Sequence, residues 1–447
     1  MPRFLPERSN ILRSSAPKRR TSLSFENLET RALLSSAAVI SWKMAPQIAL
    51  DPAHGNAPDL PNTSAYVSPA GGYQVLLDAS KTPDLQPSST YTWTISEAGQ
   101  TVASVQGKQS SVSLPEGPYT VQLTVNGVRG ANGPVVADQD IVVKDVLIVA
   151  IGDSYASGEG NPVVNGFYFL KPAQWAYSPD PAMNLQNAKA HRSTLAASAQ
   201  FALALQKSNP QEAVTFVSVA DSGATIDRGL LGPMASDVDS TYTLPGQIDE
   251  VHQIVGSHPI DVLTVSIGGN DIGFSTRIKE LASNSILGKT SLSDIQTQLN
   301  TDMATLPQKY AALGQAIRGL SPAQVLITEY PNMTRNQQGQ YAPIKLAGLS
   351  AIGKANVQFA DQNILTPLNR NIETAAAANR WTVVGSLDAP FRTHGYSSIN
   401  SWFQHVGTSL KDESNPIGAF HPNVKGQQAI ANQFLTVYDQ TIVSTPN

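Results

Sequence analysis

Four short stretches carry side chains that could do chemistry together. A run of core-type aliphatics, "DVLIVAIGDSYASGEGNP" from Asp145 to Pro162, stops abruptly at Gly152-Asp153-Ser154 and leaves a serine hydroxyl at the end of a predicted strand. Further on, "VADSGAT" sets Gly223 just past a second strand, and "SIGGND" sets Gly268, Gly269 and Asn270 past a third. Near the C-terminus, "GAFHPNVKGQQAIANQF" puts His421 directly before a predicted helix. A serine hydroxyl is a poor nucleophile until a neighbouring base takes its proton, and histidine suits that task at neutral pH. Attack on an ester carbonyl builds an oxyanion, which needs preorganised donors. The backbone N–H of Ser154 can supply one donor, that of Gly223 a second with no Cβ in the way, and the Asn270 amide a third. Each feature alone is weak. A glycine after a strand usually only turns the chain, a loop asparagine usually shapes a turn, and a histidine before a helix is often part of a cap.

What joins them is the set of elements that must hold them. From Val146 the chain alternates strand and helix. The strands "VLIVAIG", "VTFVSVA", "DVLTVSIGG", "AQVLITEY" and "WTVVGSLD" are separated by helical stretches such as "STLAASAQFALALQ", "PGQIDEVHQIVG" and "LNRNIETAAAANR". The strands are continuously apolar rather than alternating, the pattern of a parallel sheet covered on both faces. Residues 146–447 therefore read as a three-layer α/β domain, with ligands expected beyond the carboxyl ends of its strands. Ser154, Gly223 and Asn270 all fall at that edge. Residues 45–145 change to period two, in "YQVLLDAS", "YTWTIS", "TVASVQG", "SSVSLPEG", "YTVQLTVNG" and "QDIVVKD", with turn residues between them. That pattern describes an antiparallel, immunoglobulin-like sandwich. Residues 1–44 are basic, with Arg3, Arg8, Arg13, Lys18, Arg19, Arg20 and Arg31 ahead of a short apolar stretch from Ala32 to Ile40. This is the order of an export leader.

"GDSYASGEG", "DSGAT", "GGND" and "HPN" resemble, in order, the four blocks of the SGNH (GDSL-type) hydrolases, lipases and esterases built on a flavodoxin-like sheet. The resemblance implies Ser154 as nucleophile, His421 as base, and Ser154 N–H, Gly223 N–H and the Asn270 side chain as oxyanion hole. "AHRSTLA" around Arg192 and "FRTHGYSSINSWF" around His394 and Trp402 are similar to the branch containing secreted bacterial lipases. Relatives there often carry cysteines near two of the blocks, where this chain has Ala190 and Asp221. Many members also place an aspartate three residues before the histidine; here that position is Gly418. The resemblance then implies a serine–histidine dyad whose imidazole leans on the backbone carbonyl of Gly418 or Ala419, the rival being Asp412 or Asp388 folding in. Asp153 is expected to anchor the turn. Residues of the sandwich, "LDASKTPDLQPSSTYTWTI" and "LPEGPYTVQLTV", resemble a PKD domain, and "FENLETRALLSS" resembles a segment near the start of many exported bacterial proteins.

Composition narrows the field further. The chain has 447 residues, a net charge of −4 and no cysteine, so thiol catalysis, cysteine zinc sites and disulfides are excluded and no general pull toward nucleic acid exists. No apolar run is long enough for a transmembrane helix. The seven histidines lack metal-pair spacing, and "GLSAIGKA" misses the serine or threonine of a phosphate loop because Ala355 stands there. Asp237 and Asp239 in "ASDVDS" read as a solvated acidic loop. The expected function is an exported carboxylic-ester hydrolase acting through an acyl-serine intermediate, without metal or organic cofactor. Its partner would be an ester, lipid or acylated glycan. A polysaccharide O-acetyl esterase is the alternative, and a non-catalytic adhesin on the same scaffold a further one. The sandwich would serve as a spacer or dock glycan or the cell surface, and the segment Ile278–Leu306 would cap the site.

Overall fold

The computed structural model describes residues 37–443 apart from 56, 288–290 and 347–349, so the basic part of the expected leader lies outside the described residues. The sandwich is built from β1 (Ser41–Met44), β2 (Tyr73–Asp78), β3 (Leu85–Glu97), β4 (Gln100–Gln106), β5 (Gln109–Leu114), β6 (Gly117–Val128) and β7 (Val135–Val143). They form two antiparallel sheets, in the orders β1-β2-β5 and β4-β3-β6-β7. Alternation sets the buried face: Tyr119, Val121, Leu123 and Val125 of β6 point inward at period two. They meet Val75, Leu77, Trp93 and Ile95 in one core, and the indole N–H of Trp93 donates to Gly107 O at 2.9 Å. An indole buried without an acceptor would be costly, so this bond fixes how the turn closes.

Two boundaries differ from the sequence reading. Ser41–Met44, placed in the leader, is an edge strand paired with β2, and Ala38 is buried in the sandwich core. The basic residues just upstream mask the strand's own short pattern. The stretch after Met44 belongs with the second domain rather than the sandwich. Ile48, Leu60 and Val67 enter the core of the α/β domain, and the Asn62 side chain exchanges hydrogen bonds with Ser218 of that domain. A strap of mixed composition shows its partner only in three dimensions.

The α/β domain opens with β8 (Asp145–Gly152), followed by β9 (Ala213–Ser218), β10 (Val262–Ser266), β11 (Gln324–Thr328) and β12 (Thr382–Val384). All pair in parallel, in the order β9-β8-β10-β11-β12. That is the flavodoxin-like order, with its switch point at β8. Every residue of β8 and β9 is buried, which requires cover on both faces. Its helices include α1 (Ser154–Ser157), α2 (Ala197–Ser208), α3 (Gln247–Val255), α4 (Phe274–Leu287), α5 (Leu292–Leu320), α6 (Thr366–Asn379), α7 (Val406–Glu413) and α8 (Val424–Val443). Helices α2 and α8 pack together through Phe201, which stacks on Phe434 and meets Tyr438 edge-on. Helix α5 packs against α3 and α6. The sandwich abuts the opposite end of the sheet from the serine. Ala213, the first residue of β9, lies in the sandwich core, and Met44 N–H donates to Pro210 O. Among the described residues no helix is long and apolar enough to cross a membrane.

Candidate active site

Ser154 begins α1 immediately beyond β8. Gly152 sits at φ 144°, a left-handed value that a side chain would strain, and the chain turns sharply there. Asp153 caps the turn, its carboxylate accepting from Tyr155 N–H at 2.9 Å. The Ser154 hydroxyl lies 2.7 Å from His421 Nε2, although the two residues are 267 positions apart in the chain. The loop carrying His421 is tied to the serine loop from several sides. Asn161 donates its side-chain amide to Pro422 O at 2.8 Å, and Gln404 donates to Gly160 O at 2.6 Å. Tyr155 O–H donates to Phe420 O at 3.1 Å, and its ring lies 5.1 Å from the imidazole. Phe420 holds φ 73°, a strained value for a side chain, directly before the histidine.

Nδ1 of His421 is buried, without a well-aligned hydrogen bond, and no carboxylate among the described residues forms an ion pair with it. Asp388 is exposed beside Arg392, and Asp412 lies beside Lys411, so neither of the acidic rivals engages the ring. Burial holds the imidazole below its usual value; the Glu159 charge and the backbone carbonyls of Gly418, Ala419 and Ile417 act against that. Glu159 itself is fully buried in a 2.8 Å ion pair with His191, whose ring stacks on Trp175. Burial and the neighbouring Glu159 push Glu413 well up, so it holds the proton that lets two buried carboxyls coexist.

Gly223 has φ 82°, which strains any residue with a side chain, and a Cβ there would lie 2.6 Å from the Asp237 carboxylate carbon. Asp237, read from sequence as part of a solvated loop, thus lines the same cavity as Ser154 and His421. The turn bearing Gly223 is set from behind by Arg192, which is completely buried and paired with Asp221 and Glu250 at 2.9 Å. Ser222 N–H donates to Ala190 O at 3.0 Å. A hydrogen bond and an ion pair therefore join the segments of Ala190 and Asp221.

Asn270 opens the third turn. Its amide donates one hydrogen to Ala224 O at 3.0 Å, which fixes the group and leaves the second hydrogen for the cavity. Tyr330, two residues past the end of β11, supports this turn. Its hydroxyl accepts from Gly269 N–H at 2.9 Å and donates to the Asp153 carboxylate. Burial pushes Asp153 up to about 7, against the pull of Tyr330 and the Tyr155 N–H. From α5, Tyr310 O–H donates to Ile267 O at 2.7 Å and Lys309 pairs with Asp271 at 2.8 Å.

These groups surround a cavity of about 700 Å³. Ser154, Gly223, Asn270 and His421 all line it, and Phe274, Ile278, Ala282, Leu346, Val406 and Ile417 add apolar lining. Among the described residues none of the sandwich lines it. Helix α4 supplies Ile278 and Ala282, the beginning of the segment expected to cap the site, whereas α5 supplies no lining residue.

The model of the GDSL-like Lipase/Acylhydrolase family matches residues 148–434. The chain belongs to the GDSL-like lipase/acylhydrolase family. This GDSL-like hydrolase is accordingly a serine ester hydrolase. No curated protein matches it. Among solved structures, an extracellular lipase from Streptomyces rimosus is 19% identical with a TM-score of 0.44, covering 65% of this chain and 99% of that one. A family two carbohydrate esterase from Clostridium thermocellum is 12% identical with a TM-score of 0.32, covering 91% and 100%. An acetylxylan esterase from Geobacillus stearothermophilus is 15% identical with a TM-score of 0.30, covering 66% and 94%.

Tyr155, Tyr330, Gln404 and the Glu159–His191 pair support the site of the GDSL-like hydrolase without any mark in the sequence reading. Glu159 and Asn161 sit inside the "GEGNP" that follows the serine, a faint signal. Tyr330 has none, because a tyrosine near a strand end usually packs.

Proposed function

We propose that the hydrolase cleaves carboxylic esters with Ser154 as nucleophile and His421 as its base, without an acidic third member. As Ser154 Oγ bonds to the carbonyl carbon, His421 Nε2 takes the hydroxyl proton. The negative charge moves onto the carbonyl oxygen, where Ser154 N–H, Gly223 N–H and the Asn270 amide receive it. Collapse breaks the bond to the alcohol oxygen, which leaves with the proton from His421, and an acyl-serine remains. Water then attacks the acyl carbon, giving its proton to His421. The acid departs and Ser154 regains its hydrogen. The single observation that carries this reading is the 2.7 Å approach of Oγ to Nε2 in a cavity with the other two groups. The imidazole would take its orientation from the carbonyls of Gly418 and Ala419, whose effect is to raise its basicity.

The apolar walls favour an acyl chain longer than acetyl, because a two-carbon group would leave most of about 700 Å³ unfilled. We propose export as well, on the basic-then-apolar order of residues 1–40. The sandwich, remote from the cavity, acts as a spacer or surface-docking module. A panel of chromogenic esters from acetate to palmitate, with acetylated xylan alongside, tests the substrate. Rates should peak at medium or long chains and vanish in Ser154→Ala. Activity confined to acetate and xylan would overturn the lipid reading in favour of polysaccharide deacetylation. A sulfonyl fluoride that fails to label Ser154 would overturn the nucleophile.

A further inference from the structure

We infer that the hydrolase docks on lipid surfaces through a rigid apolar tip made of Phe167, Tyr168, Phe169 and Leu170. These four consecutive residues are 47%, 45%, 83% and 83% exposed. Soluble proteins expose apolar side chains singly as a matter of course, but a contiguous protruding run marks an interaction site. The tip is presented, not loose. Phe167 N–H donates to Lys171 O at 2.9 Å and Leu170 N–H to Phe167 O at 3.1 Å, closing the turn on itself. Its base is bolted to α7: Gly166 N–H donates to Asp412 O at 2.7 Å and Tyr168 N–H to Lys411 O at 2.6 Å. A Cβ at Gly166 would lie 2.6 Å from Lys171 O and 2.8 Å from Asp412 O, so the close approach demands glycine. Three of the four tip N–H groups are thereby bonded within the protein, which lowers the cost of entering a medium that offers no partners.

The surroundings point to lipid as the occupant. Asn165 and Asp412 connect the tip to a shallow depression of about 410 Å³ that also holds Ile399, 86% exposed, and the exposed Val424 and Lys425. Lys171 and Lys425 are exposed beside this apolar surface, as is Lys411, which also lies 3.4 Å from the Asp412 carboxylate. An apolar wedge with lysines beside it is complementary to an interface of acyl chains under anionic headgroups. Phe169 and Leu170, the most exposed members, carry no hydrogen-bonding group and so lose none on entering acyl chains. The tip also stands close to the catalytic cavity. It is tied to Lys411 and Asp412, while Val406 at the start of the same helix lines the cavity, about 8 Å away along the axis. That docking delivers an ester to Ser154 rests on the function proposed above; the docking itself does not.

The test uses the full chain carrying Ser154→Ala, so that no hydrolysis intervenes, with mixed phosphatidylcholine–phosphatidylglycerol vesicles in a sedimentation assay. The protein should partition onto vesicles. Phe169→Ser with Leu170→Ser should weaken partition about tenfold or more. Lys171→Gln with Lys411→Gln should weaken it mainly at low salt. In the chain with Ser154 intact, the two tip changes should leave turnover of a soluble short-chain ester unchanged. No partition of the intact tip, equal partition of the tip variant, or sedimentation with xylan instead of vesicles would each overturn the inference. Failure of the Ser154 chemistry would show separately, as absent turnover of the soluble ester.

Discussion

Replacing Tyr330 by Phe removes one oxygen that serves two loops. The hydroxyl accepts from the buried Gly269 N–H and donates to the buried Asp153 carboxylate, joining the asparagine turn to the serine turn. The ring itself packs on Gly269, where a Cβ would lie 3.2 Å from Cζ, so water has little room to replace the oxygen. An orphaned buried N–H costs about 1–3 kcal/mol, and loss of a hydrogen bond to a charged group costs about 1.5–3 kcal/mol. The second loss depends on pH, because burial pushes Asp153 up to about 7. Below that value its carboxyl is largely neutral and the bond is an ordinary one. With about 0.5–1.5 kcal/mol for the ordinary bond, the deficit in unfolding free energy should be about 1.5–4.5 kcal/mol at pH 5 and about 2.5–6 kcal/mol at pH 8. Urea titrations at the two pH values measure it. Turnover of a soluble ester should also fall, by about 10- to 100-fold in kcat with little change in KM, because a loose asparagine turn displaces a donor by a fraction of an ångström to an ångström. An unchanged urea midpoint with full kcat would refute the reasoning, as would a deficit larger at pH 5 than at pH 8.

Asn270→Ala should lower kcat by about two to three powers of ten, the usual loss for one oxyanion donor; unchanged kcat would place Asn270 outside the hole. Asp388→Ala and Asp412→Asn should each keep kcat within about threefold, since neither carboxylate pairs with His421. A loss of several hundredfold in either would restore an acidic third member. His421 must be neutral to accept the serine proton, and burial lowers its pKa, so the acid limb of kcat/KM should lie below pH 6.5. Glu159→Gln removes a charge that raises the imidazole, and should move that limb to still lower pH in a pH–rate profile. Burial pushes Asp145 up to about 7, so its contribution to stability is full below pH 3.8 and is lost as pH rises through 7. Asp145→Asn should remove that slope and raise unfolding free energy at pH 8 by up to about 4 kcal/mol in denaturant titrations.

The α/β architecture was legible because fully buried parallel strands need unbroken apolar runs, and β8, β9, β10 and β11 have them. β12 is shorter than its "WTVVGSLD" stretch, with only Thr382–Val384 paired, since it stands at the sheet edge. The strap from Ala45 to Val67 was not legible. Its apolar residues are too sparse for a period, and they find partners only on a domain that begins a hundred residues later.

By itself the sequence determined the chemistry on offer. Ser154, Gly223, Asn270 and His421 follow strand ends or open a helix, and the order of strands in a parallel sheet sends all such ends to one edge. Backbone sterics act over a few residues, so Gly152 and Gly223 could be recognised as turn glycines from their neighbours alone. Tertiary structure alone decided what holds those groups still: Tyr330 between two loops, Gln404 and Asn161 between the serine and histidine loops, and Asp237 against Gly223. It also left His421 Nδ1 buried, with no carboxylate among the described residues paired to it. Contacts of this kind depend on angles and distances between segments hundreds of residues apart, and no local pattern of residue types encodes them.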